Sequence, residues 1–186
     1  MTRSIPAEGL VDGRVTLRPW RLEDADALVR RINDAEVGAF LDLIPQPYGR
    51  TDAVDYLRGC EEGWRTGVSS NFAVLVDGLD GPAGSVGCRW SEIDDGVAEI
   101  GYWVAAEARG RGVATTATRL AALWAFAAEP RLDRLQLRAD VENVASNRVA
   151  AKAGFTREGV LRSARRNARL GRRVDFAIWS LLRDEL

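Results

Sequence analysis

A chain of 186 residues is long enough for one domain with its own core. Its 26 basic and 27 acidic residues leave a net charge of −1, which excludes both a global basic field for nucleic acid and a self-repelling acidic chain. Histidine is absent, so Ser-His-Asp and Cys-His mechanisms are excluded and the commonest zinc ligand is missing. Acid–base chemistry must then fall to carboxylates, Tyr, Ser, Cys, Lys or water.

Cys60 and Cys88 are too few for a disulfide framework and have no metal-binding spacing, so no metal is expected. The opening MTRSIPAEGLVDG lacks the apolar core of a signal peptide. No apolar run approaches the ~20 residues of a membrane span. A cytoplasmic protein without membrane contact is the expectation.

In chain order, Val15-Thr16-Leu17-Arg18 reads as a first strand, and Leu22 to Ile32 as a helix with Leu22, Ala25, Leu28, Val29 and Ile32 on one face. Ile44 to Gly49 breaks structure twice, and the stretch from about Phe40 to Tyr48 suggests a lip over a groove. Thr51 is the expected cap of a second helix, which carries Asp52 and Asp55 in its first turns and fades near Gly63 to Gly67. Three adjacent antiparallel strands follow at Phe72 to Val76, Ser85 to Ile93 and Val97 to Val104. A long, nearly all-apolar helix starts near Val113. Leu135 to Ala139 is a strand, and Asn143 to Ala153 a short helix ended by Gly154. Strands at about Phe155 to Leu161 and Val174 to Leu181 flank an arginine-rich turn region. The expected architecture is α+β: a single domain over 1–186, with a mixed, mostly antiparallel sheet of six to seven strands and about four helices.

The loop before the long helix reads Arg109-Gly110-Arg111-Gly112-Val113-Ala114. Its glycines let the backbone approach a ligand closely, and a helix N-terminus has free N–H groups and favours anions. Phosphate or pyrophosphate is the implied ligand. The loop is neither a P-loop, which needs Lys-Ser or Lys-Thr after its last glycine, nor a dinucleotide fingerprint.

This hexad resembles the Gln/Arg-x-x-Gly-x-Gly/Ala loop that holds the acyl-CoA pyrophosphate in the GNAT superfamily of N-acyltransferases. Glu99 to Val104 resembles that family's fourth strand. Asn143-x-x-Ser146-x-x-Val149-x-x-Lys152-x-Gly154-Phe155 resembles its second signature helix, in the form found in the branch that acetylates ribosomal-protein N-termini. The resemblance implies a direct transfer of acetyl from acetyl-CoA to a primary amine, either a protein N-terminal α-amine or a small amine. It implies CoA contacts from Val104, Arg109, Gly110, Arg111, Gly112, Val113, Ala114, Asn143 and Ser146, with the Val104 N–H as oxyanion donor.

Glu99 is the candidate base, and Glu92 the second choice. Strand alternation puts Glu99, Gly101 and Trp103 on one face, and a partly desolvated carboxylate there would gain basicity. Many family members protonate the leaving thiolate with a tyrosine seven residues after the asparagine; here that position is Ala150. Ser146, the serine of the ribosomal-protein branch, is the candidate donor instead. A peptide α-amine, with a pKa near ~7.7–8.0 against ~10.4 for lysine, would need only a weak base.

Seven arginines between Arg157 and Arg173 read as a solvated face or as contacts to an acidic partner. Most of the six tryptophans read as core; Trp90 and Trp103 read as core before acceptor-groove lining, the alternative for both. The alternatives are a non-catalytic acyl-CoA-binding or sensing module, and a ribosome- or RNA-associated protein using the arginine hairpin. No DNA partner is expected, and a homodimer is a family-level expectation. Succinyl and other acyl donors stay open beside acetyl.

Overall fold

The computed structural model describes residues 3–4, 8–41 and 44–185; the side chains of Ser91 and Glu92 lie outside this description. Its elements in chain order are β1 (Leu10–Asp12), β2 (Val15–Pro19), α1 (Ala25–Ile32), α2 (Ala35–Phe40), α3 (Arg50–Thr66), β3 (Ser69–Val76), β4 (Gly84–Glu92), β5 (Val97–Val104), α4 (Val113–Ala128), β6 (Arg134–Asp140), α5 (Val144–Lys152), β7 (Thr156–Asn167) and β8 (Arg172–Leu182). The strands form one sheet in the order β1-β2-β3-β4-β5-β6-β8-β7. Every neighbouring pair is antiparallel except β5–β6, which is parallel.

Alternation along the strands builds two cores. On β3, Phe72, Val74 and Val76 join the cluster that packs against α4 and α5, while Ala73 joins Leu28, Ile32, Ala53 and Leu57 of α1 and α3 on the other face. Helix α4 is buried along most of its surface, from Val113 through Ala117 and Ala121 to Ala125, as its composition requires. Trp124 meets Phe72 edge to face at 4.9 Å and the tilted ring of Trp64 at 5.4 Å, so aromatic contacts anchor the α4 face. Trp90 belongs to the same cluster.

The α+β architecture follows the expectation, with eight strands rather than six to seven and five α-helices rather than four. The additional pieces are β1 and α2. The cap of α3 also differs from expectation. Gly49, not Thr51, is the N-cap, and its N–H donates to Asp52 Oδ2 at 2.8 Å. The arginine-rich segment is mostly strand: β7 runs through Asn167 and β8 begins at Arg172, which leaves only a tight turn between them.

Candidate active site

The site begins where the parallel pair β5–β6 comes apart. β5 and β6 are in register from Val97↔Arg134 to Glu99↔Gln136 and no further. Beyond this fork β5 stays paired to β4, and the N–H of Ala105 donates to the Ala83 carbonyl at 2.8 Å. Successive residues of a strand aim their backbone groups to opposite edges. The N–H groups of Val104 and Tyr102 therefore face the fork.

The fork opens into a cavity of about 220 Å³ whose lining includes Tyr102, Val104, Arg109, Ala114, Asn143 and Ser146. Five of these are residues the sequence singles out. At its mouth stands the N-terminus of α4, preceded by Gly110 and Gly112 at φ +71° and +78°. A Cβ at either glycine would meet no atom, so the left-handed backbone, not crowding, is what requires glycine there. The Val113 side chain is buried in the core, so only its N–H is available to a ligand.

Arg109 and Arg111 differ in their commitments. Arg109 is bound to Asp34 at 2.5 Å and to Glu36 at 2.8 Å, tying the loop to the start of α2. The hydrogen bond from Arg109 is the main cause that holds the Asp34 carboxyl below its ordinary value. Arg111 is exposed and makes one long contact to the Glu107 carbonyl at 3.3 Å. Positive charge at the loop thus comes chiefly from Arg111 and the helix end.

Asn143 caps α5 by accepting the N–H of Ser146 at 2.9 Å. That bond uses the Ser146 backbone and leaves its hydroxyl for another partner. The partner is Tyr102, whose phenol lies 2.8 Å from Ser146 Oγ and 3.1 Å from the Ser146 carbonyl. Burial pushes the Tyr102 phenol up to about 12, against the opposing hydrogen bond from Ser146, so it is protonated at neutral pH.

Sequence reasoning missed Tyr102. Alternation places it on the buried face of β5 with Ala98 and Ile100, where an aromatic reads as core. Only the fork, which brings α5 against it, turns it into a site residue.

Glu99 is not in this cavity. It lines a second one of about 330 Å³ on the opposite side of β5, with Tyr102 and Trp103 common to both. Its carboxylate is paired with the Arg138 guanidinium of β6, so the ion pair bridges the two strands where they begin to diverge. Arg138 itself lines the first cavity. The Glu92 side chain lies outside the described residues. Trp103, for which the sequence favours core packing over groove lining, is only partly buried and lines both cavities and a third. Cys88 lines the second cavity, where burial pushes its thiol up to about 12, so it is no nucleophile at neutral pH.

Of the seven arginines from 157 to 173, several serve the hairpin. Arg173 donates to the Ser163 carbonyl, Arg166 to the Gly171 carbonyl, and Arg172 pairs with Glu142 at 2.5 Å. No helix among the described residues is long and apolar enough to cross a membrane.

A protein named "Uncharacterized N-acetyltransferase p20", from Bacillus licheniformis, is 29% identical over 178 residues, covering 96% of this chain and 98% of that one. A Bacillus subtilis (strain 168) protein named "Putative ribosomal N-acetyltransferase YdaF" is 30% identical over 181 residues, covering 94% of each. Among solved structures, RimJ of Mycobacterium smegmatis in complex with CoA-disulfide superposes with a TM-score of 0.80 at 27% identity, covering 92% of this chain and 83% of that one. The family model described as an acetyltransferase (GNAT) domain matches residues 14–156. Fork, glycine loop and helix end thus occur in a chain that belongs to the GNAT acetyltransferase family.

Proposed function

We propose that this protein transfers an acetyl group from acetyl-CoA directly to a primary amine, either a protein N-terminal α-amine or a small amine. One observation carries this reading: an unpaired strand edge at Tyr102 and Val104 runs toward the free end of α4. A pantetheine arm can pair with the former while its pyrophosphate meets the latter. The CoA bound to RimJ and the N-acetyltransferase names of the relatives support the same donor.

In this scheme the backbone N–H groups of Arg111, Gly112, Val113 and Ala114 hold the pyrophosphate. Arg111 adds charge, and Arg109 and Gly110 shape the loop. Asn143 borders the pantetheine arm. The neutral amine attacks the thioester carbon, the oxygen gains charge beside the Val104 N–H, and sulfur departs toward Ser146. No cysteine intervenes, which suits a direct transfer.

Glu99 takes the proton released by the amine, through water on the acceptor side of β5. Its ion pair with Arg138 holds the carboxylate at the edge of β5. Glu99→Gln is therefore expected to lower kcat/KM by roughly tenfold at pH 7 and by less at pH 9, where the free amine is mostly neutral unaided. A pH profile of kcat/KM for both proteins tests this; equal losses at the two pH values would remove Glu99 from that role.

The donor is tested by thermal unfolding with acetyl-CoA, CoA or ATP added separately. Ligand at ~100 times Kd stabilises the folded state by about 2.7 kcal/mol. At ~2–4 °C per kcal/mol for a chain of this size, the expected rise is roughly 5–11 °C. The CoA compounds should produce it and ATP should not, and Gly112→Val should abolish it, since valine does not adopt the φ of +78° found there. No shift with millimolar CoA compounds overturns the proposal.

A further inference from the structure

The third cavity lies across Trp103 from the thioester end of the fork and measures about 290 Å³. Its floor is apolar, from Leu28, Ile32 and Ile44, and its walls carry the rings of Tyr48, Tyr56 and Trp103. The charged groups that line it are Asp52 and Asp55, both acidic. Neither has a cationic partner among the described residues. Arg50, on the same helix, pairs with Asp26, and Arg169 donates to the Ile44 carbonyl without lining the cavity.

The rings are held in place. The Tyr48 hydroxyl donates to the Asp52 carbonyl at 3.1 Å, and the Tyr48 N–H donates to Asn33 Oδ1 at 2.8 Å. Tyr56 shares a hydrogen bond with Ser85 Oγ at 3.2 Å and packs edge to face on Trp20. The negative field reaches the wall: after burial itself, Asp52 and Asp55 help push the Tyr48 phenol up to about 12.

Fixed aromatic faces with unpaired carboxylates are the two means by which proteins hold organic cations. We propose that this cavity binds a second positive charge on the acceptor. The acceptor is then an amine whose apolar body crosses Trp103 and ends in an ammonium, quaternary ammonium or guanidinium group. The inference rests on the acetyltransferase reading for where the reactive nitrogen sits, but the cation site has a readout of its own.

The probes are ω-trimethylammonio alkylamines with four to eight methylenes between the nitrogens, each paired with the amine in which a tert-butyl group replaces trimethylammonium. The pairs match in shape and differ in one charge. Binding is followed by calorimetry in the presence of CoA, and transfer by release of free thiol from acetyl-CoA. At the best spacer, the cation should bind about tenfold more tightly than its carbon isostere and show a kcat/KM higher by a similar factor. Asp55→Asn should narrow the gap, and Asp55→Lys should reverse it. Asp55 is exposed, so neither change threatens the fold. Asp52→Asn keeps an oxygen to cap α3 and should narrow the gap further.

Equal binding of cation and isostere overturns the proposal, as does a preference that survives Asp52→Asn/Asp55→Asn. Cation binding without any thiol release would instead refute the acetyltransferase reading and leave the cation site standing. Thiol release with both amines and no charge preference would do the reverse.

Discussion

Ser146→Ala should lower kcat by about 10²-fold while leaving the affinity for CoA unchanged, the cost typical of removing one donor to a developing anion. The hydroxyl takes no part in capping α5. The cap of α5 uses the Ser146 N–H and the Asn143 side chain, both retained in the variant. The hydroxyl's neighbour is the Tyr102 phenol, which has one hydrogen and two acceptors in reach, the Ser146 carbonyl and Oγ. With that hydrogen on the carbonyl, Ser146 donates to the phenol. With it on Oγ, the serine hydrogen is free to turn to the departing sulfur.

On the proposed reaction Tyr102 would position the Ser146 hydroxyl, and Tyr102→Phe should cost roughly tenfold in kcat with little change in KM for acetyl-CoA. Because the two hydroxyls act as one unit, the double variant should be no slower than Ser146→Ala alone. Ser146→Thr, which keeps the hydroxyl, should recover most of the rate. Steady-state kinetics with calorimetric CoA binding decides the matter. Additive losses would separate the two residues, and an unchanged kcat in Ser146→Ala would leave the thiolate to water.

The loop and its helix were legible because several local signals agree there: two glycines, a break in the apolar pattern, then sixteen helical residues. β5 was legible over its full length, Val97–Val104, since turn residues bound it on one side and the glycine loop on the other. β1 was not, being three residues long with two of them exposed. α2 has six residues and a central Gly38, which suggests a breaker. Its glycine faces a tertiary contact: a Cβ there would lie 2.1 Å from the Arg169 guanidinium of the distant hairpin, whose flexible end would have to shift.

β7 was legible only in its first half. The strand read at about Phe155 to Leu161 runs on to Asn167; its first eight residues are all exposed, so no alternation marks its extent, which is set by pairing with β8. Of the cavity lining, the residues legible in sequence are those carried by local motifs: Val104, Arg109, Ala114, Asn143 and Ser146. Contacts between elements were not legible: Tyr102 meeting Ser146, and Arg109 taken by Asp34. Such meetings depend on where β5 and β6 part, and pattern along one chain does not encode that.

Glu129→Ala should destabilise the fold by about 3 kcal/mol, because it leaves the buried Arg3 guanidinium without its counter-charge. Glu129 is the C-cap of α4, and its side chain is 6% exposed. Arg3, 7% exposed, donates to it at 2.6 Å while lying over the Trp90 ring. Arg131 reaches it from the surface at 3.0 Å. At ~2–4 °C per kcal/mol the melting temperature should fall by roughly 6–12 °C.

The Arg131 hydrogen bond foremost, with the Arg131 N–H and Arg3, holds the Glu129 carboxyl at about 2 against burial, which opposes it. A carboxyl depressed in the folded state contributes its full stability above its unfolded value, about 4.3, and loses it as pH falls toward 2. The penalty of Glu129→Ala should accordingly be largest at pH 7 and shrink steadily below pH 4. Urea unfolding of both proteins across that range measures it. A penalty independent of pH would mean that lost packing, not charge, dominates. Since Glu129 sits at the far end of α4 from Gly112, kcat of the folded variant should be unchanged, separating the helix's role as a support from the chemistry at its other end.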